Sequence, residues 1–428
     1  MEQPIATPLS GYQKFVIFIL AITQFTVILD FMVMSPLGDI LMKSLKMEPS
    51  QFGIAVSAYA FSAGASGLLT AGFADKFDRK KLLVFFYTGF IIGTILCGIV
   101  DTYELLVAAR IFTGLFGGVI GSISMAIVAD IFEIQQRGRV MGFLQMGFGA
   151  SQVLGIPIGL YLANAWNWHT PFLWIGVMAA IVAVLIAVKL KPVTAHLAIK
   201  RDKTAFKHLL HTLMNKDYRI GFTATALLSI GGFMMMPFGS AFAINNLGIT
   251  NHQLPMLFMV AGISTLIIMP FVGKLSDKID KFKLFAIACI WMIAVVLIYT
   301  KLETTPLWLV MVFNVMMMIG IMGRMVPSTA LVTGVPEMQD RGAFMSINSS
   351  LQQIAGGIAA AFAGTIVVQK TQYSPLEHYD TLGYIVSGIT LISIFLMYRV
   401  SRMVKRRMQS PTVQAVKTDG PEISLKKI

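Results

Sequence analysis

Three charged residues lie deep inside long apolar stretches of this sequence: Asp30, Arg110 and Arg324. A charge in hydrocarbon is costly and persists where it is paired or serves an ion or substrate path, so chemistry is to be sought first at these three. Counted from the ends of their apolar runs, Asp30 lies about ten residues and Arg110 about seven from the same face, or roughly 15 and 10 Å along a helix. At such similar depth the two can meet. Burial disfavours an ionised carboxylate and a neighbouring guanidinium favours it, so Asp30 beside Arg110 is suited to taking up and releasing a proton. A static pair that fixes two helices is the other reading of the same residues. Arg324 has no acid near it in its own half of the chain. It either meets a polar or anionic group in a central space, pairs with Asp30, or bonds to backbone carbonyls freed by Pro327.

Other polar residues in apolar runs are candidates to line such a space: Gln24, Gln145, Gln152, Asn245, Asn314, Asn348 and Gln352, with Met34 beside them. The methionines 234–236, 316–318, 322 and 325 are candidates for a soft, adaptable lining. No His pair with metal-ligand spacing lies in an apolar run, and there is no P-loop or Gly-x-Ser-x-Gly elbow. The sequence therefore points to no enzyme, metal or cofactor, and any energy is expected from an ion or substrate gradient.

The elements that must position these residues follow from composition. The 428 residues are 56% hydrophobic and 13% charged, with a mean hydropathy of +0.74, which excludes an ordinary soluble domain. Apolar runs of about 20 residues recur, long enough to cross a bilayer as helix. Twelve are expected, near 14–37, 52–73, 82–100, 103–129, 140–163, 171–188, 220–244, 254–272, 282–299, 307–333, 343–368 and 382–400. With both ends inside, all but six of the 34 Lys and Arg fall on the inner side; Lys43, Lys46, Lys301 and Lys370 lie outside and Arg110 and Arg324 within spans. That asymmetry orients the chain, and the net charge of +13 needs no nucleic-acid partner. Cys97 and Cys289 fall in spans and are expected as buried free thiols. The first apolar run is too long for a cleavable signal, and a monomer in the lipid bilayer is expected.

Two charged loops recur at almost one offset. Asp75-Lys76-Phe77-Asp78-Arg79-Lys80-Lys81 is echoed at Asp277-Lys278-Ile279-Asp280-Lys281-Phe282-Lys283, 202 positions on. Glu133-Ile134-Gln135-Gln136-Arg137-Gly138 is echoed at Glu337-Met338-Gln339-Asp340-Arg341-Gly342, 204 positions on. The chain is thus a duplication: an all-α integral membrane protein of two pseudo-symmetric six-helix bundles, 1–188 and 220–400. A charged cytoplasmic linker, 189–219, joins them, and 401–428 is expected as a disordered cytoplasmic tail. Residue Pro157, between Gly155 and Gly159, is expected to kink the fifth helix.

The first hairpin resembles the cytoplasmic signature of the major facilitator superfamily, written G-x-L-A-D-R-x-G-R-K. Residues Asp75, Arg79 and Lys80 match; Ala71, Phe73, Lys76 and Asp78 depart. The resemblance implies that Asp75 and Arg79, with Asp130 at the inner end of the fourth helix, latch the cytoplasmic side, and Lys80, Arg137, Asp277 and Arg341 belong to the same gate. Leu106, Arg110, Thr113 and Gly114 are similar to a motif whose Arg is associated with proton coupling. Leu29-Asp30-Phe31, Gly155-Ile156-Pro157-Ile158-Gly159 and the 167–172 loop resemble the twelve-helix drug:proton antiporter branch, including its arabinose-efflux-like members. The expectation is a proton-coupled exporter of small organic compounds in the inner membrane. Uptake or exchange of a polar or anionic metabolite, and a non-transporting membrane receptor, are the alternatives.

Overall fold

The computed structural model describes residues 9–70, 76–194, 197, 205–337 and 340–408. Twelve long helices follow one another: α1 (Gly11–Val33), α2 (Pro49–Thr70), α3 (Arg79–Cys97), α4 (Tyr103–Ile131), α5 (Ile134–Ala150), α6 (His169–Lys189), α7 (Lys216–Phe233), α8 (Leu254–Lys278), α9 (Lys281–Tyr299), α10 (Leu307–Val332), α11 (Arg341–Ile366) and α12 (Tyr379–Met408). Among the described residues eleven of them, with α5 taken through to Ala165 and α7 through to Asn245, are long and apolar enough to cross a membrane. The remaining one, α11, carries Asn348, Ser349, Ser350, Gln352 and Gln353 and is held by packing. Its small residues let α2 come close: Ser57 Oγ donates to the Gly357 carbonyl (2.8 Å), and a Cβ on Gly53 would come 2.6 Å from the Ala360 carbonyl.

Proline explains where the expected spans break. Residue Pro36 cannot continue the backbone ladder, so α1 stops at Val33 and a separate helix, Gly38–Ser44, follows. At Pro237 the seventh span does the same, with Gly239–Asn245 as its outer piece. In the fifth span the expected kink is a π turn, Ser151–Gly155, from which the helix resumes as Ile156–Ala165. The twelfth helix runs to Met408, so 401–408 is helix and not the start of a tail; 409–428 lies outside the described residues. In the linker, Ala205–Met214 is helical.

Glycine and serine stripes set the tightest seams. In the fifth span Gly147, Ser151, Gly155 and Gly159 recur every four residues and meet Ala21, Phe25, Leu29 and Val33 of α1. On α4, Gly114 and Gly118 lie against Tyr59 and Ala63 of α2. Each half also carries a clasp at its inner end. Asp78 caps α3 by accepting from the Lys80 N–H (2.9 Å) and holds the chain after α6 through the Val193 N–H (3.0 Å). Asp280 caps α9 through the Lys283 N–H (3.0 Å) and holds α12 through Lys405 Nζ (2.6 Å).

At the end that the charge distribution assigns to the outside, the halves are sealed together. Ser35 Oγ donates to the Met236 carbonyl and Ser240 Oγ to the Ser35 carbonyl (2.7 Å). Buried Asp39 accepts from Asn245 Nδ2 (2.6 Å) and from Lys43 Nζ (2.7 Å).

These seams make two predictions. A Cβ on Gly118 would lie 2.5 Å from Ala63 backbone atoms, so Gly118→Ala destabilises by about 1–3 kcal/mol, whereas Gly142→Ala, with nothing within 4 Å, does not. Melting temperatures in detergent check the pair. Lys405 holds the Asp280 carboxyl below its ordinary value of 3.8. The resulting stabilisation is complete above that value and is lost as pH falls through the lowered one. Lys405→Met, whose partner is partly exposed, therefore costs at most about 1 kcal/mol near pH 7, and the gap from wild type closes below about pH 4.

Candidate functional site

The stripe of the fifth span seats Leu29 of α1 in the notch at Gly155, and the next residue, Asp30, meets α3 and α4. There Asp30 Oδ1 accepts from Thr94 Oγ1 (3.0 Å) and Oδ2 from Arg110 Nη1 (2.7 Å). Both side chains are fully buried. Asp30 and Arg110 thus meet as their depths require, in a sealed pocket and not in an open cavity. Nε and Nη2 of Arg110 are buried without a hydrogen-bond partner, and its guanidinium lies 4.5 Å from the centre of the Tyr59 ring. Two ions removed from water repay their desolvation only with close geometry, which Thr94 and Tyr59 help to supply.

Aromatic rings lead from this pair to the second half. Tyr59 lies 5.2 Å from Phe31, Phe31 lies 5.8 Å from Phe233 of α7, and Phe233 fills the space at Gly356 of α11. Tyr59, Thr94 and Phe233 were not legible as site residues, since single aromatics and threonines are common in apolar helices.

Arg324 does not pair with Asp30, whose oxygens are taken by Arg110 and Thr94, and no bond from it to carbonyls near Pro327 is formed. It is 5% exposed and points at α7, beside Gly231 and Gly232. Asn348 is buried on α11, with Oδ1 unpartnered among the described residues. Gln352 is exposed; its helix face, with Met345 and Ser349, is open toward the inner end and becomes buried at Gly356, Ala359 and Ala363. Gln24 is half-buried between Gly121 and Gly147, and Gln152 lies at the seam where α8 brings Gly262 against it. Asn314 donates to the Val310 carbonyl of its own helix (3.1 Å). The Gln145 side chain lies outside the described residues.

Two of the expected lining residues belong elsewhere. Met34 is fully buried in the core of the outer seal, and Asn245 is bound there to Asp39, because Pro36 and Pro237 fold both segments across the outer end. The methionines divide: Met234 is in the outer core with Met235, Met236 and Met317 packed against that core, Met322 packs with Val272 and Leu284, and Met325 is exposed.

Of the gate residues, Asp75 lies outside the described residues. Arg79 Nε lies 3.4 Å from Asp130 Oδ2, joining α3 to α4 within one half. Lys80 is half-buried behind the Asp78 cap, and Arg137 donates to the Ala129 and Phe132 carbonyls, closing the C-terminus of α4. Asp277 and Arg341 are exposed. Residues Gly155, Pro157 and Gly159 shape the fifth span against α1. Among the described residues no cluster of His, Cys, Asp or Glu could hold a metal ion, and Cys97 and Cys289 are buried free thiols.

Breaking the pair from one side leaves a buried charge, at a cost of about 3–5 kcal/mol, whereas replacing both partners costs far less. Asp30→Asn alone is therefore expected to lower the melting temperature in detergent more than Asp30→Asn combined with Arg110→Met. The reverse order would mean that the pair does not hold these helices.

Comparison with known proteins bears on this arrangement. The family model for the Major Facilitator Superfamily matches residues 20–219 and again 221–421. The uncharacterized MFS-type transporter YceJ of Bacillus subtilis (strain 168) is 22% identical over 384 residues, 90% of this chain and 96% of that protein. A protein named "Probable sugar efflux transporter" from Mannheimia succiniciproducens is 31% identical over 163 residues, 38% of this chain and 41% of its own. A crystal structure of a D-xylose-proton symporter superposes with a TM-score of 0.76 at 15% identity, covering 92% of this chain and 99% of that one. With twelve helices in two matched halves and the family model covering both, the chain belongs to the Major Facilitator Superfamily and is a multi-pass secondary transporter.

Proposed function

We propose that the protein exports small organic compounds in exchange for protons, by alternating access between its two halves. The observation that carries this reading is the sealed Asp30–Arg110 pair, a carboxylate and a guanidinium at membrane depth, with Thr94 as the other described partner of the carboxylate. With the outer end closed, Asp30 accepts two hydrogen bonds, as an ionised carboxylate does. When the outer seal opens, a proton arriving on Asp30 takes away Arg110's counter-charge. The guanidinium then pulls on Tyr59, Phe31 and Phe233, which touch across the halves. Return to the outer-closed form restores the pair and releases the proton inside.

The direction is supported by the name of the Mannheimia succiniciproducens relative. The proton gradient is the energy source and no cofactor is needed. The positive charge on the inner loops supports an inner-membrane location with both termini cytoplasmic, and the protein acts as a monomer. In the gate, Arg79 with Asp130 stiffens the inner end of the first half, while Asp277 and Arg341 are the free charges of the second.

The test is accumulation of fluorescent drugs and labelled sugars in an efflux-deficient bacterium, with and without a protonophore, beside Asp30→Asn. Wild type is expected to lower accumulation of some compound, and both the protonophore and Asp30→Asn to abolish that effect. Equal export by Asp30→Asn would remove Asp30 from the coupling path; raised accumulation in wild type would reverse the direction.

A further inference from the structure

The second half holds a cation for which the described residues supply no counter-charge. Arg324 is 95% buried, yet it makes no hydrogen bond or ion pair with a described residue. An unpaired guanidinium in such a place costs several kcal/mol. Arg324 lies about eight residues from the inner end of α10, roughly 12 Å, and side chains lean toward the helix N-terminus, which for α10 is the outer end. The guanidinium thereby reaches Gly231 and Gly232 on α7.

What faces it there is the bare backbone of two glycines. A Cβ on Gly232 would have only Arg324 Nη2, at 3.8 Å, within 4 Å. One on Gly231 would meet Ile389 Cγ2 at 3.8 Å, Arg324 Nη1 at 3.9 Å and Thr390 Oγ1 at 4.0 Å, all ordinary contacts. Thr390 gives its hydroxyl proton to the Val386 carbonyl (2.7 Å) and does not serve the guanidinium.

The duplication explains how the vacancy arose. Pro36 and Pro237, and Gly38 and Gly239, are paired at 201 positions, and the same offset carries Asp30 to Gly231. Arg110 corresponds, at 204, to Asn314, which bonds its own helix. The second half thus lacks the acid at the position of Asp30, and the buried cation of its tenth helix, from a different place on that helix, points at the missing carboxylate.

We propose that this recess is an anion subsite in which Arg324 binds the carboxylate of a small amphiphilic monoacid, with the apolar remainder against Ile389 and Phe233. A single buried guanidinium matches one negative charge; a dianion would leave a second charge unmatched in a low dielectric. The substrate supplies in the second half the counter-ion that Asp30 supplies in the first. This rests on the central space between the halves being the transport path.

The probes are straight-chain monocarboxylates from acetate to octanoate and their primary amides, added to the purified protein in detergent with no pH gradient. Melting temperature is read for each. Carboxylates are expected to raise it and the matched amides to leave it unchanged. Arg324→Gln is expected to weaken the carboxylate response about ten-fold or more, and Arg324→Lys to keep part of it. Gly231→Asp places a carboxylate beside the guanidinium: it is expected to raise the melting temperature of the ligand-free protein and to abolish the response. That variant decides the matter even where Arg324→Gln fails to fold. Amides acting as well as acids, no acid in the series acting, or Gly231→Asp responding like wild type each overturns the subsite. Carboxylate selectivity in a wild-type protein that shows no proton-driven export would remove the antiport reading and leave the subsite standing. Intact proton-driven export without selectivity would do the opposite.

Discussion

A carboxylate and a guanidinium held 2.7 Å apart and shut off from solvent impose their terms on the whole first half. Neither ion is stable there without the other, so every helix around them is built for close approach. The glycines of α4 bring it onto α2, the four-residue stripe of the fifth span presses α1 forward, and Thr94 of α3 takes the remaining carboxylate oxygen. Tyr59 is shared by two tasks, since one face of its surroundings receives Arg110 and another meets Phe31. The state of the pair and the contact between the halves are therefore joined by packed rings, without an intervening gap.

The two halves share a fold and differ in electrostatics. Their inner ends are fastened alike, with Asp78 and Asp280 as helix caps that each also hold the last helix region of the half. Their centres are not alike. The first half pairs its buried cation with an acid of its own, whereas among the described residues Arg324 of the second has no such acid. The duplication has kept the fold and not the charge pair: one copy holds a buried acid with its cation, and the other holds a buried cation without an acid among the described residues.

The architecture was legible because it is written in long patterns. Apolar runs gave the number of helices, and repeated charged loops gave the duplication, both summed over many residues. Asp30 and Arg110 were legible for a related reason, since charge is so rare in these runs that depth alone brings them together. Asn245 and Met34 were misplaced because Pro36 and Pro237 turn both segments sideways, and a reading that carries the helix through a proline assigns them the wrong height. The pairing of those prolines at 201 positions was present in the sequence as a third echo, and would have marked the outer pieces as partners. Tyr59 and Phe233 had no such mark. Their roles come from what their rings touch, which no spacing within one helix reveals.

The polarity of α11 has a consequence for how the protein is made. A segment with two adjacent glutamines, an asparagine and several serines partitions poorly into lipid by itself. In the finished protein its glycines and serines lie along α2, which is synthesised some three hundred residues earlier. The eleventh helix is therefore expected to depend on the first bundle for a stable place in the bilayer, because the surface that covers it belongs to the other half.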